Sequence, residues 1–234
     1  LFSNEYPMLR TLEENGVDVS YVSGLDVATD PALLPKHRVF LSVGHDEYWS
    51  ADQRKNVTDA RDKGVNLAFF GGNDVYWKTA LEPSQDHTNT PNRTLVDYKD
   101  TWADKRIDRL GSDVQATWRD PRFGDLGYGY GPENALIGTQ YQANFDDFPM
   151  RVSSAEGKLR IWRGSKLDQL PDGTSVSLSD HTVGYESNED VDNGYRPAGL
   201  IHLSTTTGPT AEYSVGYGRD VVSGKTTTHH ATLY

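Results

Sequence analysis

The stretch from His37 to Trp77, HRVFLSVGHDEYWSADQRKNVTDARDKGVNLAFFGGNDVYW, decides the fold. Val39 to Val43 is an apolar run of strand length that stops at Gly44, and His45, Asp46, Glu47 and Tyr48 follow at once. Polar chemistry therefore appears where a buried strand surfaces. Ser50 with Gln53 three residues on is a capping-box pattern, and the segment to Lys63 is rich in helix formers before Gly64 closes it. A second apolar run, Val65 to Phe70, breaks at Gly71, Gly72, Asn73 and Asp74. The order strand, polar loop, helix, strand, polar elbow predicts adjacent parallel strands with the helix crossing between them. Both polar loops then lie outside the carboxyl ends of the sheet, where open α/β sheets place their sites.

Working outward, Glu5 to Asn15 reads as a helix with Met8, Leu9 and Leu12 on its apolar side and Gly16 as its stop. Val17 to Val22 alternates like a partly buried strand, and Asp26 to Pro35 is a loop or short helix. From Pro83 the character changes. PSQDHTNTPNRT is turn material, the segment to Asp120 has no sustained helical period, and Arg119 to Asn134 is a glycine-rich loop or irregular lid. Leu159 to Trp162, Val176 to Leu178, His181 to Tyr185, Gly199 to Ser204 and Ala231 to Tyr234 are strand candidates. This pattern predicts one incomplete domain, with residues 1–82 an α/β core portion, 83–180 an irregular and β-rich insertion, and 181–234 a return to the core. The chain starts without an initiator methionine and stops inside a strand candidate, so it reads as truncated at both ends.

With 34 acidic against 23 basic residues and a net charge of -11, the chain is not a general binder of phosphate backbones, and nucleic acid is not an expected partner. The absence of cysteine excludes disulfides, thiolate metal sites and a cysteine nucleophile, without fixing a compartment; cytoplasmic and secreted locations both stay open. No apolar run is long enough to span a membrane. HExxH, GxSxG, GxGxxG and phosphate-loop patterns are also missing.

His45, Asp46 and Glu47 together supply a base and oxygen ligands at a strand end. In extended geometry His45 and Glu47 share a side and Asp46 opposes them. The first two are therefore assigned to the site, and Asp46 to helix capping or a salt bridge. A surface loop that merely satisfies its own polar groups explains the same letters. Asn73, in a permissive GGN turn, offers an amide for a substrate carbonyl or a metal ligand, while a structural Asx-turn explains it without chemistry. Glu186 is a third carboxylate candidate; its neighbours Glu189, Asp190 and Asp192 suggest a solvated turn or cation-binding loop. Of the adjacent His229 and His230, one at most is expected to face a site. Arg119 and Asp120 beside Trp118 read as an ion pair with aromatic packing. Tyr48, Trp49, Tyr76 and Trp77 suit a pocket wall, with core packing favoured for both tryptophans.

FSNEYPMLRTLEENGVDVSYVSGLD, SVGHDEYWS, NLAFFGGNDVYWKT, RTLVDYKD, TWRDPRF, PENALIGT and HHATLY together resemble the C-terminal domain of the large subunit of N,N-dimethylformamidase and its bacterial relatives. The resemblance implies a core similar to class I glutamine amidotransferases, mostly parallel, with helices and an added β-rich region. GGN would then stand where such enzymes carry the catalytic cysteine. It further implies a mononuclear ferric ion held by two tyrosinates and one glutamate, a hard-ligand set suited to iron(III). Glu47 matches the ligand glutamate, His45 and Asn73 the adjacent active-site residues, and Glu186 a late acidic one. The two tyrosines lie upstream of the segment resembling Leu1 to Leu12, so neither Tyr6 nor Tyr48 takes their place.

The function implied is iron-dependent hydrolysis of a small amide by the complete parent, with little iron affinity or activity in this chain alone. Its expected partners are the missing flanking segments, and a second copy or a small subunit. A noncatalytic or carbohydrate-associated binding module on the same scaffold is the alternative, and a more general hydrolase on an amidotransferase-like scaffold is a third.

Overall fold

A computed structural model describes residues 5–97, 99, 115–121, 131–218 and 220–234, and the chain divides into two compact units, Leu1–Gly129 and Tyr130–Tyr234. The glycine-rich run around Tyr128, and parts of the RTLVDYKD and TWRDPRF motifs, lie outside the described residues. Among the described residues no helix is long and apolar enough to cross a membrane.

In the first unit, helix α1 (Tyr6–Glu14) begins with Pro7 in its first turn, where a missing N–H costs nothing. Met8, Leu9 and Leu12 are its half-buried positions, and Gly16 at φ 64° ends it. Val17 to Val22 is not the expected strand. It runs without strand pairing, and Val17, Tyr21 and Val22 are exposed. Alternation alone specifies no strand without a neighbour to complete its ladder. Helix α2 (Gly24–Thr29) is held by a reciprocal Ser23–Asp26 capping box.

Strand β1 (Val39–Val43) pairs in parallel with β3 (Asn66–Phe70), and helix α3 (Ala51–Asp62) connects the two, as the opening stretch predicts. Ser50 caps α3 by accepting from the Gln53 backbone N–H, and the chain leaves through Gly64 at φ 95°. The pair is half-buried rather than buried: Ser42 alone is fully covered, and Val39 and Phe70 are exposed. Phe40, Trp49 and Phe69 form an aromatic cluster with ring centroids 6.1 to 6.4 Å apart. Helix α3 buries Val57 and Ala60 together with Gln53, Arg54 and Asn56. Such a face needs internal partners. Asn56 Nδ2 donates to the Val27 and Ala28 carbonyls of α2, and the Arg54 guanidinium lies 4.4 Å over Trp118.

The parallel pairing resumes after both polar loops. Strand β2 (Tyr48–Ser50) pairs with β4 (Trp77–Glu82), which also pairs antiparallel with β5 (Thr94–Val96). The register moves from Val39↔Asn66 to Tyr48↔Trp77, an offset of 27 becoming 29. The first loop, residues 44–47, has four residues and the second, 71–76, has six.

The second unit contains helices α4 (Asn134–Ile137) and α5 (Ser154–Gly157) and strands β6 (Gln140–Phe148), β7 (Arg151–Ser153), β8 (Ser175–Ser177), β9 (Val183–Glu189), β10 (Ile201–Thr210), β11 (Glu212–Val215), β12 (Asp220–Val222) and β13 (Lys225–Leu233). All pairings here are antiparallel, in the orders β12-β11-β6-β9, β10-β13 and β7-β8. The fold is thus α/β, but the sheets are mixed and antiparallel rather than mostly parallel. Leu159 to Trp162 is also not a strand; Arg160–Trp162 is a 3₁₀ turn, fixed where the Trp162 indole donates to the Leu203 carbonyl.

Glu189 and Asp190 are not in a solvated turn. Glu189 accepts from the Tyr213 and Thr227 hydroxyls and the Thr228 N–H. Asp190 takes a bidentate pair from Arg196 and a contact from His202 Nε2 at 2.8 Å. Both late histidines are engaged within the unit. His229 Nδ1 meets the Asn188 carbonyl, while His230 stacks on His202 with centroids 4.0 Å apart and receives the Asp190 N–H.

Candidate functional site

The two polar loops are laced to each other. Gly44 N–H donates to Phe70 O, Val75 N–H to Asp46 O, and Tyr76 and Trp77 N–H both to Glu47 O, at 2.8 to 3.0 Å. The approach is so close that a Cβ on Gly71 would lie 2.2 Å from the Gly44 carbonyl oxygen. Glycine is required there by sterics. The two extra residues of the second loop are absorbed by left-handed backbone at Asn73 and Val75, both at φ 54°. Valine in that region is unusual, because its branched Cβ crowds the backbone.

Glu47 is half-buried, and its Oε1 accepts from the Trp77 indole Nε1 at 3.2 Å. The tryptophan is therefore both core and orienting group. His45 is exposed, with Nδ1 2.6 Å from Gly72 O. A carbonyl only accepts, so the neutral ring carries its proton on Nδ1 and presents the lone pair at Nε2. Asn73, the residue after Gly72, is buried. Among the described residues Asp46 neither caps α3 nor forms a salt bridge: its Oδ2 accepts from Ser42, Ser50 does the capping, and its N–H donates to Asp74 Oδ1. Burial raises the Asp46 carboxyl above its usual range despite the Ser42 hydroxyl. Glu186 stands on β9 opposite Asn144, in the second unit.

A second group on the first unit escapes sequence reading. Lys99 Nζ lies 4.7 Å from the Tyr48 ring centroid and 5.2 Å from that of Trp77, and donates to the Tyr48 phenol oxygen. Burial lowers the Lys99 pKa, but the Tyr48 hydrogen bond and the Glu47, Tyr48 and Asp97 charges outweigh this and leave it raised. Asp97 is pushed up to about 6 by burial, with Lys99 pulling it down and Glu47 adding to the rise. The RTLVDYKD motif contains both Asp97 and Lys99, yet nothing in its letters places them beside a loop some fifty residues earlier. Arg119 packs over the Tyr76 ring at 5.0 Å, while Trp118, its neighbour in sequence, carries Arg54. Two surface hollows of about 390 and 310 Å³ are lined by other residues, the first by Pro83, Ser84, Gln85, His87 and Asn89 and the second by Pro35, His37, Arg38 and Lys63 to Asn66.

Among the described residues no three His, Asp or Glu side chains gather closely enough to hold a metal. The donor chemistry nevertheless suits a hard ion: Glu47 offers an oriented carboxylate, and its electrostatic neighbours Asp97 and Tyr48 are oxygen acids.

The fold and the laced loops define an α/β protein with a polar site beyond the ends of a short parallel pair. The chain belongs to the N,N-dimethylformamidase beta subunit-like, C-terminal family, whose sequence model matches residues 1–234. No curated protein matches it.

Proposed function

We propose that the chain is the site-bearing part of an iron-dependent hydrolase of carbon–nitrogen bonds in small amides, acting in its complete parent. The observation that carries this reading is the Glu47 carboxylate, fixed by the Trp77 indole in a loop stitched to the GGN elbow. Glu47 would hold ferric iron together with two tyrosinates from the parent's upstream segment, and this chain alone would bind it weakly. Iron supplies Lewis acidity toward an amide carbonyl and water. Nε2 of His45 accepts a proton, Asn73 positions the substrate's polar group, and Glu186 is assigned to proton transfer on the family resemblance. The elbow following β3 supports a glutamine amidotransferase-like core, and a second copy or small subunit is the proposed partner.

The test is Glu47→Ala in the full-length protein, with metal analysis, visible spectroscopy and an amide-substrate panel. About one iron per domain, a tyrosinate-to-iron band weakened in the variant and iron-dependent amine release are expected. Iron retained unchanged after removal of Glu47 would refute the ligand assignment. A second reading, a carbohydrate-associated binding module, is favoured by the exposed Phe145 and Tyr185 rings 5.4 Å apart in the second unit. Folded wild-type protein with no iron and no turnover, but with saccharide binding, would select it.

A further inference from the structure

We propose that Asp74 is a positioning residue that sets the Glu47 carboxylate by gripping the Asp46 backbone, and that it does so as an acceptor whose negative charge is dispensable. The inference deepens the reading of the Glu47 site, on which its functional part rests.

Asp74 is 1% exposed, and its Oδ1 accepts the Asp46 N–H at 3.1 Å. The next residue, Val75, donates its own N–H to the Asp46 carbonyl at 2.8 Å. Asp46 is thus held at both backbone polar groups by two consecutive residues of the opposite loop. Glu47 follows directly, and its carbonyl and carboxylate are held by Tyr76 and Trp77. Four successive residues, Asp74 to Trp77, therefore fix two, Asp46 and Glu47. The left-handed backbone at Asn73 and Val75 aims this run, and Asp74 sits between those two positions.

The rest of the Asp74 environment fits a neutral acid. Oδ2 is buried without a hydrogen-bond partner among the described residues, and the carboxyl group shares its surroundings with that of Asp46. A buried carboxylate with no cation would be costly, whereas a carboxylic acid is tolerated there. Burial first, and the Asp46 charge with it, move the Asp74 pKa in that direction, against the pull of the Asp46 N–H. An amide oxygen can replace the one acceptor that the geometry uses.

Full-length wild type, Asp74→Asn and Asp74→Ala are compared by hydrogen–deuterium exchange of peptides covering 44–50, with the α3 peptide as internal control, and by iron content. Asp74→Ala is expected to speed exchange in 44–50 by about tenfold while α3 is unchanged, as loss of one buried hydrogen bond predicts. Its iron content falls in parallel, and Asp74→Asn restores both. Unchanged exchange in a folded Asp74→Ala protein would overturn the proposal, and so would an Asp74→Asn protein that behaves like Asp74→Ala. If Asp74→Ala does not fold, Asp74→Asn decides: wild-type exchange supports the proposal and accelerated exchange overturns it. Exchange reads positioning whether or not the wild type holds iron, so an iron-free wild type refutes the functional reading alone.

Discussion

The indole N–H of Trp77 reaches across from the start of β4 to the carboxylate of Glu47, while the backbone N–H of the same tryptophan holds the Glu47 carbonyl. One residue therefore fixes both the backbone and the side chain of the proposed ligand. Trp77→Phe keeps the aromatic packing and removes only the indole donor. In the full-length protein we expect iron affinity to fall by about tenfold, the usual effect of losing a group that orients a metal ligand. Metal titration checks this, with thermal melts to show that the fold persists.

Gly71→Ala should cost about 3 kcal/mol, because its Cβ would overlap the Gly44 carbonyl oxygen and neither backbone can yield cheaply. Gly16→Ala is the control, since Gly16 also has positive φ but nothing lies within 4 Å of the added carbon. It should cost only about 1 kcal/mol. Urea melts of the two variants give the comparison.

Stability of the second unit should decline in mild acid. Burial pushes His229 down to about 4, against a raising contact with Asn188 O and with His230 adding to the fall. The unfolded imidazole titrates near ~6.5. Between those values the unfolded chain binds the proton that the folded ring refuses, so this contribution is complete above about pH 6.5 and is lost as pH falls toward 4. Its size is at most about 3 kcal/mol, because the ring retains some exposure. His230 shifts in the same direction, by burial and the His202 charge. Asp97, raised to about 6, acts oppositely in the first unit. The readout is therefore the difference in stability–pH slope between wild type and His229→Gln, with the variant flatter.

Lys99→Met should raise the pKa of Tyr48. Burial already raises it, and the Lys99 hydrogen bond and charge hold it down while Glu47 pushes it up. Removing the ammonium leaves burial and Glu47 unopposed. Tyrosine-selective carbon-13 NMR, with Tyr48→Phe to assign the resonance, follows the titration. An unchanged or lower Tyr48 pKa would contradict the packing of Lys99 on that ring.

Strand β1, helix α3 and the parallel β1–β3 pair were legible because apolar runs, a serine cap and a closing glycine agreed on one arrangement. Three-residue β2 is too short to carry a period, so Tyr48 to Ser50 looked like loop and cap. The second unit was harder for a different reason. β10 and β13, HLSTTTGPT after Ile201 and KTTTHHATL, are rich in threonine, and Ser204, Thr206, Thr210 and Thr227 are buried. Where hydroxyl groups and Glu189 fill the interior, apolar alternation has little to report. The loop positions of His45, Glu47 and Asn73 were readable because each follows an apolar run that ends at a glycine. Asp97 and Lys99 arrive through tertiary contact, and the role of Asp74 depends on a backbone N–H that no side-chain letter reveals.

The four-residue and six-residue connections also carry an implication for how this site can vary. The polar elbow exists because one branch of a parallel ladder is two residues longer than the other while both ladders stay in register. Point substitutions leave that arithmetic untouched. A single deletion between Gly71 and Tyr76 must either flatten the elbow or slip β4 by one place, turning its inward side chains outward. The segment should therefore be intolerant of any change in its number of residues, whichever letters fill it, a signature readable by deletion scanning before any ligand is known.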